Sequence, residues 1–209
     1  MPTAERRLLA LGDSYTIGEG VPARDAWPAQ LCRALTTAGF AFAAPTVLAR
    51  TGWTTDELLA ALDAAPPAPG YDLVTLQIGV NDQYRGRSLA QFGAGFDRLL
   101  ARAIDLARGA PARVLAVSIP DWSVTPFAAQ DARTPPSIAE AIDACNHLAR
   151  QQAVQAGVAW AEVTSISRQA GAGSDMLVAD ALHPSVTQYA RWVESALLPA
   201  VRALLLLAH

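Results

Sequence analysis

The sequence has 209 residues, a mass of 22.0 kDa and 52% hydrophobic residues, which fits one domain, residues 1–209, with a substantial core. All sixteen basic residues are arginines, so chemistry that needs a lysine, such as Schiff-base formation, is excluded. The formal net charge of -3 and the pI near 5.6 argue against a nucleic-acid partner, which would favour a basic surface.

Apolar strand-like segments alternate with helix-like segments along the chain, which is typical of an α/β fold with a mostly parallel sheet. The strand candidates are residues 7–11, 43–49, 73–79, 114–119 and 158–163. A helix is predicted at 26–38, and apolar residues three or four apart predict another at 89–106. Capping pairs indicate three further helix starts; they are Thr54 with Glu57, Ser137 with Glu140, and Ser185 with Gln188.

Three residues suited to stabilising negative charge directly follow the first three strand candidates: Ser14, Gly52 and Asn81. In open parallel sheets, ligands bind beyond the carboxyl ends of the strands, where the strand order reverses. If the order is 2-1-3-4-5, these three positions meet at one point. The backbone N–H groups of Ser14 and Gly52 and the side-chain amide of Asn81 would then form an oxyanion hole for acyl transfer.

Two motifs near opposite ends of the chain carry the side chains that serine-based ester hydrolysis requires: Gly12-Asp13-Ser14 and Asp180-Ala181-Leu182-His183-Pro184. A serine hydroxyl becomes an effective nucleophile when a histidine accepts its proton, and a carboxylate orients that histidine and stabilises its charged form. His183 alone among the three histidines lies in a motif of this kind. We therefore predict Ser14 as the nucleophile, His183 as the base and Asp180 as its partner.

These motifs, together with Gly52 and the block Gly79-Val80-Asn81-Asp82, resemble the SGNH or GDSL hydrolase family. The matching blocks occur in the family's order and span residues 12–184, with the glycine block the least distinctive. Tyr15 and Thr16 depart from many members, which bears on the substrate more than on the mechanism. The resemblance implies the same residue roles, a hydrolase without a cofactor, and a three-layer α/β/α fold with a five-stranded, flavodoxin-like sheet of order 2-1-3-4-5.

The segment 120–136 has neither a helical nor a strand period, and long segments of this kind are often lids or binding loops. It leaves the carboxyl end of the fourth predicted strand, on the same edge as the predicted catalytic groups. We expect four aromatic residues to line a substrate pocket there, or else to anchor the loop to the core; they are Trp53, Tyr84, Trp122 and Phe127. Asp82 is expected to brace a turn.

The sequence thus predicts a serine esterase that cleaves a small-molecule ester, with no metal and no cofactor. Acyl transfer or carbohydrate deacetylation on the same machinery remains an alternative, and so does a non-catalytic binding protein on the same scaffold.

Cys32 and Cys145 are too few for a zinc cluster and are expected as buried thiols, or as a disulfide if the fold joins them. No run is long enough to span a bilayer. We expect a cytoplasmic protein, with secretion of a processed form as the open alternative.

Overall fold

The computed structural model describes residues 5–171, 173 and 175–207. Five β-strands form one sheet in the order β2-β1-β3-β4-β5, and every neighbouring pair is parallel. The strands are β1 (Leu8–Gly12), β2 (Thr46–Ala49), β3 (Leu73–Gln77), β4 (Val114–Val117) and β5 (Ala159–Ala161). The predicted α/β class and strand order are therefore confirmed.

Nine α-helices are found in the described part of the chain. They are α1 (Ser14–Ile17), α2 (Trp27–Thr37), α3 (Thr55–Ala64), α4 (Val80–Tyr84), α5 (Leu89–Leu106), α6 (Pro135–Gln155), α7 (Thr164–Ala170), α8 (Val186–Trp192) and α9 (Leu198–Leu207), with a π-helical turn at Val193–Leu197 between the last two. Short 3₁₀ turns occur at Ala23–Asp25, Pro111–Arg113, Trp122–Val124 and Pro126–Gln130.

The helices form two groups that pack among themselves and cover the sheet: α3, α5 and α6 form one group, and α2, α8 and α9 form the other. Strands β1, β3 and β4 lie inside the sheet and are buried along their whole length, as their continuous apolar sequences predict for a sheet covered on both faces. The result is the expected three-layer arrangement.

The register of the central strands places their carboxyl ends side by side. Gly12, the last residue of β1, is paired with Ala49 of β2 on one side and with Gln77 of β3 on the other. The segments that leave these three strands therefore start at the same edge of the sheet. Ser14, Gly52 and Asn81, which the sequence predicts to take part in the reaction, follow the strands at this edge.

The segment 120–136 differs from the sequence-based expectation. It contains the two 3₁₀ turns at Trp122–Val124 and Pro126–Gln130, and α6 already begins at Pro135. Thr134 caps α6, because its side chain accepts the N–H of Ser137; the predicted cap at Ser137 is wrong by one turn. Single 3₁₀ turns are too short to give a sequence period.

The other predicted caps are found at Thr54, where a complete capping box starts α3, and at Ser185, whose side chain accepts the N–H of Gln188.

Cys32 and Cys145 are buried free thiols, which confirms the first of the two expectations for them. Within the described ranges, no helix combines the length and the hydropathy that crossing a membrane needs.

Candidate active site

A cavity of about 170 Å³ opens at the carboxyl edge of the sheet. It brings together four residues that lie far apart in the sequence, namely Ser14, Gly52, Asn81 and His183. The rest of its lining is largely apolar or aromatic and consists of Tyr15, Thr51, Val80, Tyr84, Trp122, Phe127 and Leu182. The cavity thus combines a few polar reactive groups with a lining suited to an apolar ligand.

Ser14 is placed by a tight turn between β1 and α1. A Cβ atom on Gly12 would lie only 2.1 Å from the Thr16 hydroxyl and 2.4 Å from the Gln77 carbonyl oxygen, so only glycine fits at this point of the turn. Asp13 caps α1, since its carboxylate accepts the N–H of Tyr15 at 3.0 Å. The first helical residue is therefore Ser14, which lines the cavity.

The carboxyl group of Asp13 is fully enclosed by the protein. This burial raises its pKa to about 7, although the hydrogen bond from the Tyr15 N–H lowers it. Because the pKa in the folded state lies above the ordinary value of 3.8, folding becomes less favourable as the pH rises from about 4 to about 7. Asp13 therefore caps α1, and the free-energy cost of burying its carboxyl group grows with pH.

A chain of two hydrogen bonds connects Ser14 to a carboxylate. The Nε2 atom of His183 lies 2.9 Å from the Ser14 hydroxyl oxygen, and its Nδ1 atom lies 2.6 Å from an oxygen of Asp180. An ionised carboxylate can only accept, so Nδ1 carries the hydrogen and Nε2 is left to accept the serine proton. The geometry is the one that activation of a serine by a histidine requires.

Asp180 also shapes the turn that carries His183. One of its oxygens accepts the N–H groups of Leu182 and His183, each at 2.9 Å. Partial burial raises the pKa of Asp180, but the hydrogen bonds from the His183 ring and from the two N–H groups outweigh burial, so its pKa lies below the ordinary value. The carboxylate is therefore ionised at neutral pH.

Ala181 lies within this turn in the left-handed region, with φ of 59°, a conformation that costs a residue with a Cβ atom about 1–2 kcal/mol. Its carbonyl oxygen accepts the N–H of Phe127 at 3.2 Å, and its own N–H donates to the carbonyl oxygen of Val178. These contacts hold the strained residue in place. They also connect the histidine turn to the segment 120–136.

Gly52 lies in a turn after β2 with φ of 84°, where glycine avoids the strain of a side chain. Two side chains bind the carbonyl groups of this turn. The Asn81 amide donates to the Trp53 carbonyl at 2.9 Å, and Arg85 donates to the Gly52 carbonyl at 2.6 Å. An Asn amide has two hydrogens, so Asn81 keeps one for a ligand in the cavity.

Asp82 adds a third connection between α4 and this turn, because its carboxylate accepts the N–H of Thr55 at 2.9 Å and the Thr55 hydroxyl at 2.8 Å. This position agrees with the bracing role expected for it. Helix α4 and the residue that ends it are thus joined to the chain at Gly52, Trp53 and Thr55. The geometry fixes the spacing between the Gly52 backbone and the Asn81 amide.

Three of the four aromatic residues expected at the site line the cavity: Tyr84, Trp122 and Phe127. Trp53 does not line it among the described residues and instead packs against the core. Sequence reasoning did not single out Thr51, Val80 and Leu182 as lining residues. Their position next to Gly52, Asn81 and His183 was the available signal.

Among the described residues, no three His, Cys, Asp or Glu side chains lie close enough together to hold a metal ion. The polar groups at the cavity are instead those of a serine, a histidine and amide donors. These groups can deliver a nucleophile, move a proton and stabilise an oxyanion.

The fold of this chain is similar to the folds of several solved structures. A search of curated protein sequences returned no significant match. The chain is similar in structure to TesA, with a TM-score of 0.74 and 24% identity over 95% of this chain and 99% of that chain. It is also similar to the lipase/acylhydrolase from Enterococcus faecalis, with a TM-score of 0.69 and 19% identity over 95% of each chain.

A third similar structure is that of a mutant of Axe2, an acetyl-xylooligosaccharide esterase from Geobacillus Stearmophilus, with a TM-score of 0.71 and 18% identity over 96% of each chain. At these identities the likeness shows a shared fold. The sequence model of one family, GDSL-like lipase/acylhydrolase, matches residues 10–191, which is most of the chain. The protein therefore belongs to the GDSL-like lipase/acylhydrolase family.

Proposed function

We propose that the protein hydrolyses carboxylic esters through an acyl-enzyme formed on Ser14. The observation that carries this proposal is the hydrogen-bonded chain from Ser14 through His183 to Asp180, at 2.9 and 2.6 Å, on the wall of an apolar cavity. Membership of a family of lipases and acylhydrolases supports it.

In the first half of the reaction, His183 Nε2 takes the hydroxyl proton while the Ser14 oxygen attacks the ester carbonyl carbon. The negative charge on the carbonyl oxygen is stabilised by the N–H groups of Ser14 and Gly52 and by the amide of Asn81. The tetrahedral intermediate then collapses, the bond to the alcohol oxygen breaks, and the alcohol leaves with the proton from His183.

In the second half, a water molecule gives a proton to His183 and its oxygen attacks the acyl-enzyme carbonyl carbon. Collapse breaks the bond to the Ser14 oxygen, which recovers its proton from His183, and the carboxylic acid is released. Asp180 stabilises the charged imidazolium in both halves without taking its proton. If an alcohol replaces water in this half, the same groups carry out acyl transfer.

The similarity of fold to an acetyl-xylooligosaccharide esterase makes carbohydrate deacetylation the second candidate. The aromatic lining of the cavity favours an apolar acyl group instead. A series of p-nitrophenyl esters from acetate to decanoate, compared with acetylated xylo-oligosaccharides, separates the two candidates. Because the leaving group is the same throughout the p-nitrophenyl series, we expect kcat/KM to be higher for the esters with more than two acyl carbons than for the acetate, with little release of acetate from the sugars.

A non-catalytic binding protein would hydrolyse none of these compounds and would give no covalent adduct with a fluorophosphonate. That combined result would overturn the proposed function. Turnover of any of the esters with adduct formation would exclude a pure binding protein. Adding increasing concentrations of an alcohol acceptor and measuring the ratio of ester to acid products then distinguishes acyl transfer from hydrolysis.

Replacing Asn81 by alanine is expected to lower kcat by about 10²–10³-fold. The amide hydrogen not bound to Trp53 stabilises charge that develops only in the transition state, so kcat and kcat/KM should fall together. Steady-state kinetics with p-nitrophenyl butyrate measure both constants. Asn81→Asp has the same shape but no N–H donor, and it should lose at least as much activity. Retention of full kcat in Asn81→Asp would remove Asn81 from the oxyanion hole.

Replacing Phe127 by alanine is expected to raise KM for p-nitrophenyl hexanoate by about threefold to tenfold and to leave kcat nearly unchanged. Its ring lines the cavity and would contact the substrate in the ground and transition states alike, which is the signature of uniform binding. Phe127→Leu keeps most of the apolar surface and should show a smaller change. An unchanged KM in both variants would mean that Phe127 only anchors its loop.

A further inference from the structure

Arg133 connects two parts of the molecule next to the cavity, the segment 120–136 and helix α4. Its Nε and Nη2 atoms donate to the two carboxylate oxygens of Asp131 at 2.8 and 2.9 Å, and Nη1 donates to the carbonyl oxygen of Gln83 at 3.2 Å. The guanidinium also lies over the rings of Tyr84 and Trp122, at 5.5 and 5.4 Å from their centroids. Arg133 therefore joins the end of the segment 120–136 to helix α4.

Tyr84, Trp122 and Phe127 form what we call the aromatic wall of the cavity. Their ring centroids are 5.6 to 6.4 Å apart, and all three rings line the cavity. Trp122 is only 2% exposed, and its indole N–H donates to the Gln83 side chain at 3.1 Å. Tyr84 is 46% exposed, so packing alone holds it less firmly. The guanidinium of Arg133 covers the rings of both Tyr84 and Trp122.

The ion pair that holds Arg133 is insensitive to pH in any practical range. The hydrogen bonds from Arg133 lower the pKa of Asp131 to about 2, and those to Asp131 raise the pKa of Arg133. Since the folded-state pKa of Asp131 is depressed, the pair persists above about pH 2 and is lost only below it. Both partners therefore keep their charges over the whole pH range of the assays.

The volume of the cavity indicates the size of the acyl group that it can hold. An apolar cavity of about 150 Å³ in another protein holds one benzene molecule, and the cavity here measures about 170 Å³. With the aromatic wall in its observed position, an acyl group of about six carbons fills the available space. A longer chain has to extend beyond this volume, past the exposed side chain of Tyr84 in the wall.

We propose that Arg133 is a positioning residue for acyl specificity: by holding Tyr84 and Trp122 in place, it favours acyl groups of up to about six carbons over longer ones. This inference rests on the proposed ester hydrolysis. Arg133 acts by holding the aromatic wall in place. It takes no part in the reaction itself, since its contacts go to Asp131, Gln83 and the two rings.

Arg133→Ala tests the proposal through the ratio of kcat/KM for p-nitrophenyl decanoate to that for p-nitrophenyl butyrate. Two cation–π contacts and three hydrogen bonds are lost, so we expect this ratio to rise about tenfold, with kcat for butyrate within about twofold of the original. Arg133→Lys keeps a cation near the rings but cannot reproduce the planar, two-pronged contact with Asp131. Its ratio should fall between those of the two other proteins.

Arg102 provides the matched control, because it forms a partly exposed ion pair with Asp63 at 3.0 Å on another part of the surface. Arg102→Ala should leave the ratio unchanged, and thermal melts establish that each variant is folded. An unchanged ratio in folded Arg133→Ala overturns the proposal, and so does an equal change in Arg102→Ala.

Calorimetry of hexanoate and decanoate binding to Ser14→Ala measures the chain-length preference of the cavity in a protein that cannot turn over esters. Adding Arg133→Ala to this protein should strengthen decanoate binding relative to hexanoate. If no ester is hydrolysed but this shift occurs, the proposed function fails and the role of Arg133 stands. If esters are hydrolysed but neither selectivity nor binding shifts, the role of Arg133 fails and the proposed function stands.

Discussion

Replacing Ser14 by alanine is expected to lower kcat for p-nitrophenyl esters by about 10⁴–10⁶-fold, because no acyl-enzyme can form without its hydroxyl. The remaining activity should reflect only binding and the oxyanion hole. The fold should be unaffected, because the side-chain oxygen of Ser14 forms a hydrogen bond only with the His183 ring among the described residues. A thermal melt and steady-state kinetics check the two halves of this prediction.

An active Ser14→Ala protein would be the clearest sign of a wrong assignment. Retention of more than about a tenth of the original kcat, in a preparation free of contaminating esterases, would place the nucleophile elsewhere. Ser123 serves as a matched control, since it is buried in the segment 120–136 and does not line the cavity. Ser123→Ala should keep kcat within about threefold of the original.

Replacing Asp180 by asparagine is expected to lower kcat by about 10²–10⁴-fold. The side-chain oxygen of the new asparagine would still accept the two N–H groups of the turn, which leaves its NH₂ group facing Nδ1 of His183. Since Nδ1 must then accept, the ring hydrogen moves to Nε2 and faces Ser14. The histidine is held in the wrong tautomer for a base, even though the turn is preserved.

Asp105, an exposed residue of α5, gives a control of the same chemical type, and Asp105→Asn should leave kcat unchanged. Steady-state kinetics with p-nitrophenyl butyrate measure kcat for both variants. If kcat of folded Asp180→Asn drops less than threefold, Asp180 is not the partner of His183.

The fold and the meeting point of Ser14, Gly52 and Asn81 follow from short-range features of the sequence. Buried parallel strands are continuous apolar runs, and the residues after β1, β2 and β3 reach the same edge once the strand order is known. Helix α5 follows directly from its apolar period and begins and ends where that period predicts. These features depend on neighbours within a few residues.

The features that could not be predicted depend on contacts between distant segments. Trp53 follows Gly52, yet its side chain packs against the core and not on the cavity, because the turn after β2 fixes its direction. The left-handed Ala181 is held by Phe127, which lies far earlier in the chain. Arg133 belongs to no motif, and its contacts with two rings and a carboxylate exist only in the folded chain.

The nucleophile is identified most directly by mass spectrometry after treatment with a serine-reactive fluorophosphonate. The hydroxyl of Ser14 is the only one placed at 2.9 Å from a histidine nitrogen in the described part of the chain, so it should react far faster than the other serines. Peptide mapping should locate a single adduct on Ser14, and Ser14→Ala should remain unlabelled. An adduct on a different serine, or equal labelling of Ser14→Ala, would contradict the assignment of Ser14 as the nucleophile.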